Sequence, residues 1–225
     1  MEMNKFLASL ALVVIVASCS NTADMETGEI RTLQLLKKAF DSSNAPEGFI
    51  DARNLINREQ IDAAVIPVLF VELASGQNGT LTPYPGRGVG QTWLGADGAT
   101  VTLEKGILIA SRGMGDDLMG SSSSMPPWSK INQKTVSYSR ELNHITGDNK
   151  ISKRVFNCDI EKTNREEIIE IWNTNFKVSK FEESCSNSSF TFKNTYYVNN
   201  KGIVRRSSQY HSDTLGFIMI ERLDR

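Results

Sequence analysis

The stretch Gln91-Thr92-Trp93-Leu94-Gly95-Ala96-Asp97-Gly98-Ala99-Thr100-Val101-Thr102-Leu103-Glu104-Lys105-Gly106-Ile107-Leu108-Ile109-Ala110-Ser111-Arg112 decides the fold class. It holds three short runs rich in β-branched and apolar residues, separated by Asp97-Gly98 and Lys105-Gly106. A dipeptide ending in glycine between two such runs signals a tight hairpin turn, because a type I′ turn needs positive φ at both central residues. Three strands joined by two such turns make an antiparallel meander.

The same punctuation continues on both sides. Upstream, Val65-Ile66-Pro67-Val68-Leu69-Phe70-Val71-Glu72-Leu73 reads as a strand with Pro67 near its start or on an edge, since proline cannot donate to a ladder. Asn78-Gly79 reads as a turn, and residues 81–90, rich in Pro and Gly, as a loop. Downstream, residues 113–129 form an irregular excursion. Strand-like runs follow around Val136, Tyr138 and Arg140, then over residues 151–160, 167–172, 177–183, 190–198, 203–211 and 217–223. Strands at short spacing without interleaved helices argue for an antiparallel sheet. About ten strands in sequence order must curl or split to bury one face. The expected fold is all-β: an antiparallel meander curved into a half-barrel or open barrel, with short N-terminal helices packed on it. One helix is expected over Ile30, Leu33, Leu36 and Phe40, which recur at helical spacing, and another over residues 58–64, ended before Pro67.

The N-terminus is a targeting segment. Lys5 precedes an apolar run over residues 6–16, which ends in Val16-Ala17-Ser18-Cys19. The run is shorter than the roughly 20 apolar residues of a membrane-spanning helix. It reads as a signal peptide with a lipobox. The expected organisation is a signal peptide over residues 1–18, a lipidated N-terminus and tether over 19–28, and a single β-meander domain over 29–225. Cys19 would carry covalent diacylglycerol and an acyl chain such as palmitate; no other cofactor is expected. Ser20, rather than an aspartate, favours the outer membrane of a Gram-negative bacterium and a periplasm-facing body. Lys plus Arg (25) nearly balances Asp plus Glu (26), so no basic field is present to hold nucleic acid.

Lipidation of Cys19 accounts for one of three cysteines. Cys158 and Cys185 then form either a bridge, which an oxidising periplasm permits, or two separate buried thiols. A bridge would stabilise by roughly 3–4 kcal/mol on the chain-entropy account.

The most conspicuous loop runs Ser111-Arg112-Gly113-Met114-Gly115-Asp116-Asp117-Leu118-Met119. Its Arg112, Asp116 and Asp117 are residue types that serve in acid–base or metal chemistry. Against that, adjacent side chains point different ways, Gly113 and Gly115 suit positive φ, and Arg112 can pair with an aspartate. Gly86-Arg87-Gly88-Val89-Gly90 has the glycine density of a phosphate loop without its lysine or helix. His144 and His211 lack a second ligand at zinc-like spacing, so no metal site is expected. A Ser-His-Asp triad is a spatial matter, but no Gly-x-Ser-x-Gly elbow is present. Most aromatic residues suit a core. Trp128, within Met125-Pro126-Pro127-Trp128, is the candidate for an exposed ring because its neighbours form loops.

The order of features resembles a known family. It runs from the lipobox through Gln91-Thr92-Trp93, the Arg112-Gly113-Met114-Gly115-Asp116-Asp117-Leu118 stretch, Thr146-Gly147-Asp148 and Cys158 to Glu183-Ser184-Cys185. It closes with Asn194-Thr195-Tyr196 and Val204-Arg205-Arg206-Ser207-Ser208-Gln209-Tyr210. This resembles the YjbF/GfcB family of outer-membrane lipoproteins. The resemblance implies a β-meander half-barrel similar to periplasmic lipoprotein carriers, a Cys158–Cys185 disulfide, and an association with exopolysaccharide or group 4 capsule production and export. It transfers no catalytic residues. The function expected is a non-enzymatic accessory in polysaccharide assembly or export, with the outer membrane and polysaccharide or export proteins as partners. Two other readings stand beside it. One is a carrier that holds an apolar ligand or lipoprotein in a concave sheet. The other is a glycan-modifying enzyme, which would need two carboxylates about 5–5.5 or 6.5–9.5 Å apart.

Overall fold

The computed structural model describes residues 51–225 apart from 87, 133 and 146–149. The signal peptide, Cys19, the tether and the helix expected over residues 30–40 lie outside the described residues. Among these, a 3-10 turn (Ala52–Asn54) and one α-helix, α1 (Arg58–Ala63), precede twelve strands. The strands are β1 (Leu69–Leu73), β2 (Asn78–Tyr84), β3 (Gln91–Gly95), β4 (Thr100–Glu104), β5 (Ile107–Arg112), β6 (Leu118–Ser123), β7 (Val136–Ile145), β8 (Ile151–Ile171), β9 (Thr174–Ser186), β10 (Thr191–Val198), β11 (Val204–Ser212) and β12 (Gly216–Arg222).

All twelve join one antiparallel sheet in the order β5-β4-β3-β2-β1-β12-β11-β10-β9-β8-β7-β6. Apart from β5 and β6, each strand pairs with its sequence neighbours, and β12 returns to pair β1, with Val71 opposite Ile220. The sheet is therefore a nearly closed barrel whose two edges, β5 and β6, are consecutive in the chain. The meander over residues 91–112 stands as expected, although its first turn is the longer Ala96-Asp97-Gly98 loop with positive φ at Gly98 and not at Asp97. Lys105 (φ 52°) and Gly106 (φ 87°) make the two-residue turn between Glu104 and Ile107, which face each other.

Several elements differ from the sequence reading. Asn78-Gly79 is not a turn but the start of β2; the chain reverses one step earlier, with Gly76 at φ 88°. β2 then runs to Tyr84 through Pro83. Its pairing with β1 ends at Leu81, so the missing N–H of Pro83 costs no ladder bond on that side. The excursion over residues 113–129 contains β6. Residues 151–160 and 167–172 are one strand, β8, interrupted where the register with β9 steps from Lys162↔Phe181 to Glu166↔Ser179.

That step divides the packing in two. Before it, Phe156, Cys158 and Ile160 face the barrel interior with Trp93, Phe181, Phe192 and Tyr196. After it, Ile169 and Ile171 belong to a second cluster, with Phe70, Val178 and Leu223. The tip of the β8–β9 hairpin thus folds over the outer face, where Trp172 meets Phe70 edge-on at 5.6 Å. Ile56 and Ile61, from the segment around α1, complete this outer layer. α1 starts with a capping box between Asn57 and Gln60 and is tied to the C-terminal segment by Arg58, which donates to the Leu223 carbonyl at 2.9 Å.

Candidate functional site

The loop with the most polar character joins the two edges of the barrel. β5 and β6 share no ladder, so side chains satisfy the facing backbone groups. The Arg112 guanidinium donates to the carbonyls of Ser111, Leu118 (2.9 Å) and Met119 (3.1 Å). The Leu118 N–H donates to Ser111 Oγ at 3.0 Å. Asp117 accepts from the N–H groups of Gly113 (2.8 Å) and Met114 (3.1 Å), holding the turn itself. Gly113 and Gly115 sit at φ 77° and 78°. A Cβ on Gly113 would lie 3.3 Å from the Ala99 backbone. Asp116 points elsewhere. Burial alone would raise its pKa, but hydrogen bonds from Ser212 and Thr214 bring it below the usual value. The two carboxylates therefore serve separate partners, and Arg112 pairs with carbonyls rather than with an aspartate.

Behind this loop, Ser111 Oγ lies 2.7 Å from His211 Nε2, with both side chains buried. His144 Nε2 donates to the His211 carbonyl at 2.7 Å. A nucleophile relay would place a carboxylate on the far ring nitrogen of the histidine. Here His211 Nδ1 has no hydrogen-bond partner among the described residues, and Asp117 Oδ1 lies 3.4 Å from Ser111 instead. Ser111 also accepts from the backbone, so the group acts as a fastener for the seam. Glu104 lies at the β4–β5 turn, the far end of that hairpin from the loop that carries Asp116 and Asp117, so it forms no glycosidase pair with either.

A second polar group lies inside the barrel. Glu183, on β9, is fully buried and faces Asn194 across the β9–β10 ladder. Its carboxylate accepts from Asn194 Nδ2 (2.7 Å), Tyr196 OH (2.7 Å) and Tyr138 OH. Arg140 Nε lies 3.3 Å from it, with that side chain 2 % exposed. Burial, then the Glu183 charge, raises the pKa of both tyrosines, so they remain donors. Burial disfavours charged Arg140, but Tyr196, Glu183 and Tyr138 together raise its pKa, so it stays a cation. Asn194 Oδ1 also accepts from the Tyr210 N–H at 2.7 Å, carrying the network to β11. Cys158 and Cys185, directly opposite on β8 and β9, are joined in a disulfide beside it. Cys158, Glu183 and Cys185 lie close enough to group around a metal, but both sulfurs are spent in that bond.

The Glu183-x-Cys185 and Asn194-x-Tyr196 motifs are thereby one construction. Tyr138 and Arg140, alternate residues on the buried face of β7, join it; their polar character on a strand face shared with Leu142 is the signal in the sequence. Trp128, expected to be exposed, is 7 % exposed. It lies in a 3-10 turn (Trp128–Lys130) that turns the ring inward, 5.1 Å from both Phe181 and Tyr196. Its indole N–H donates to the Lys105 carbonyl at 3.0 Å.

A nearly closed antiparallel barrel, with a buried ionic network, a cross-strand disulfide and a seam stitched by side chains, defines a β-barrel class in which the conspicuous polar residues build the wall and core. The chain belongs to the YjbF family, described as group 4 capsule polysaccharide lipoprotein gfcB, YjbF, whose model matches residues 33–223. The fold is similar to the crystal structure of the hypothetical lipoprotein YmcC from Escherichia coli (K12), with TM-score 0.67 and 17% identity, covering 90% of this chain and 98% of that one. No curated protein matches the sequence.

Proposed function

We propose that this chain is a non-enzymatic accessory lipoprotein in the assembly or export of an exopolysaccharide or capsule. It is anchored through Cys19 in the outer membrane, with a single β domain facing the periplasm. The family match supports the link to polysaccharide. The observation that carries the non-enzymatic reading is where the polar groups go. Arg112 and Asp117 are consumed in closing the seam, and Glu183, Asn194 and Tyr196 in the buried network. The barrel exposes its outer face and its two ends, so it acts by contact there. The interior is filled by Trp93, Trp128, Phe156, Phe181, Phe192 and Arg140, which speaks against an acyl chain held inside the sheet.

The test is deletion of the gene in cells that make the polysaccharide, followed by measurement of surface and periplasmic polymer. Surface polymer should fall, and the intact gene should restore it. A Cys19→Ala form, made with a cleavable non-lipid signal peptide, should restore less. Unchanged surface polymer in producing cells overturns the reading.

A further inference from the structure

We propose that the end of the barrel formed by the β4–β5 and β10–β11 turns is a binding cleft for a carboxylate-bearing saccharide chain. This inference rests on the polysaccharide role argued above and assigns a ligand class and residues to it.

Three features converge there. The first is shape. A cleft of about 570 Å3 opens between Trp128, Phe181 and the 199–202 turn. A smaller cavity of about 190 Å3 adjoins it, sharing Lys105 and Gly202 and continuing past Gln91 and Trp93. Two hollows on either side of one contact make a track, which suits an extended ligand better than a compact one.

The second is charge. Lys105, Lys162, Lys177 and Lys201 line the larger cleft, each from a different element, against the single carboxylate of Glu166. Glu166 is engaged by Lys177 at 2.6 Å. Lys105, Lys162 and Lys201 make no ion pair among the described residues. Glu166 also lies within the field of Lys162, so four ammonium groups around one hollow face a single carboxylate, and the excess positive charge attracts a polyanion and focuses its approach. Asn199 and Asn200 add side-chain amides, which suit hydroxyl-rich sugars better than an acyl chain.

The third is rigidity. Lys105 occupies the left-handed region at φ 52°, where a bulky side chain costs free energy. The turn is held there by Trp128 on the Lys105 carbonyl, by Gln209 Nε2 on the Gly106 carbonyl at 2.9 Å, and by Val204. Val204 packs so closely that a Cβ on Gly106 would lie 2.3 Å from it. Opposite, Asn199 Oδ1 accepts from the N–H groups of Lys201 (3.0 Å) and Ile203 (2.9 Å) and fixes the second Lys-Gly turn. The two lysines project from braced turns, so no backbone ordering is needed on binding and the entropy lost is that of the side chains.

The experiment uses the full chain, purified in detergent, titrated with hexameric oligogalacturonate. Neutral maltohexaose and phosphatidylglycerol vesicles serve as parallel probes. Binding to the acidic hexamer is expected, weakening as salt rises. Binding to maltohexaose should be absent. Lys105→Gln, Lys162→Gln and Lys201→Gln should each weaken binding roughly two- to fivefold, the worth of an exposed charge pair. Replacing the exposed Lys105 and Lys201 should leave the melting temperature nearly unchanged, Lys162 is half-buried and its variant is read against its own melting temperature, and the salt titration of the unaltered protein needs no variant. Equal affinity for both hexamers, affinity unchanged in the triple variant, or binding to vesicles alone overturns the assignment. Loss of surface polymer on gene deletion together with no acidic-hexamer binding would leave the accessory role standing and remove this cleft from it.

Discussion

The hydroxyl of Ser111, on the edge strand β5, lies 2.7 Å from Nε2 of His211 on β11, and both side chains are buried. The pair links an edge of the barrel to a central strand, so its protonation state bears on closure. Burial, and secondarily the neighbouring His144, push the His211 pKa from 6.5 to about 4, against the opposing pull of Asp116 and Asp117.

Unfolded, His211 takes up a proton near pH 6.5; folded, it resists until about pH 4. Between those values the unfolded chain binds more protons. Stability is therefore full above pH 6.5 and is lost as pH falls toward 4, by up to about 3 kcal/mol at 1.4 kcal/mol per pKa unit. Melting temperature measured from pH 7.5 to 4.5 should fall through this window, and His211→Gln should flatten the slope. An equal slope in the variant would place the titration elsewhere.

Arg112 replaces part of a missing β-ladder. Arg112→Ala frees the carbonyls of Leu118 and Met119 at a partly solvated edge, so the loss should be about 1–2 kcal/mol. Hydrogen exchange should quicken in β5 and β6 and not in β9 or β10. Uniform quickening would mean that the seam and the rest of the barrel open together. Lys at this position keeps the charge but not the planar fork, and should recover less than half of the loss.

Glu183 neutralises Arg140 in a dry interior. Glu183→Ala leaves a buried guanidinium without its counter-charge and should cost about 3–5 kcal/mol by urea denaturation. Replacing both partners, Arg140→Met with Glu183→Leu, should recover much of that, because an apolar pair need not be solvated. A double variant as unstable as the sum of the singles would show that the tyrosine and asparagine bonds, not the ion pair, dominate.

How far the sequence shows this depends on which force sets each element. The 91–112 meander was legible because turn chemistry is local: a glycine between two β-rich runs permits the positive φ that a tight hairpin turn requires. β6 was not legible. Its Leu118-Met119-Gly120-Ser121-Ser122-Ser123 has no alternation, and pairing with β7 holds it. β8 read as two strands because polar residues at the register step hide its continuity. Trp128 was misplaced because Pro126 and Pro127 report backbone shape and say nothing of where the next ring points. The Glu183-x-Cys185 and Asn194-x-Tyr196 motifs were visible, but their meeting depends on the β9–β10 register, a non-local property. The lysines of the end cleft come from four distant segments, and their only local mark is the repeated Lys-Gly turn.

The disulfide closes a separation of 27 residues, which the chain-entropy account values at about 3.5 kcal/mol. Cys158→Ser and Cys185→Ser should each lower the denaturation midpoint, and the double variant should be no worse than either single one. Because Glu183 Oε1 lies 3.3 Å from the Cys185 sulfur, a freed thiol gains a nearby acceptor, which should offset a little of the loss in Cys158→Ser. Free thiols in protein isolated without reductant would contradict the bridge.

Lys105 separates folding from binding. At φ 52° ahead of Gly106, the turn prefers asparagine, and Asn-Gly is the favoured type I′ pair. Lys105→Asn should therefore raise stability by about 0.5–1 kcal/mol, because asparagine tolerates the left-handed region that lysine occupies at a cost. The Trp128 bond is made to the backbone carbonyl and survives the change. If Lys105 is merely a turn residue, nothing else should alter. If it contributes to the end cleft, affinity for acidic oligosaccharide should drop while the melting temperature rises. Opposite signs in the two measurements cannot come from a damaged fold. A rise in stability with unchanged affinity would remove Lys105 from the cleft.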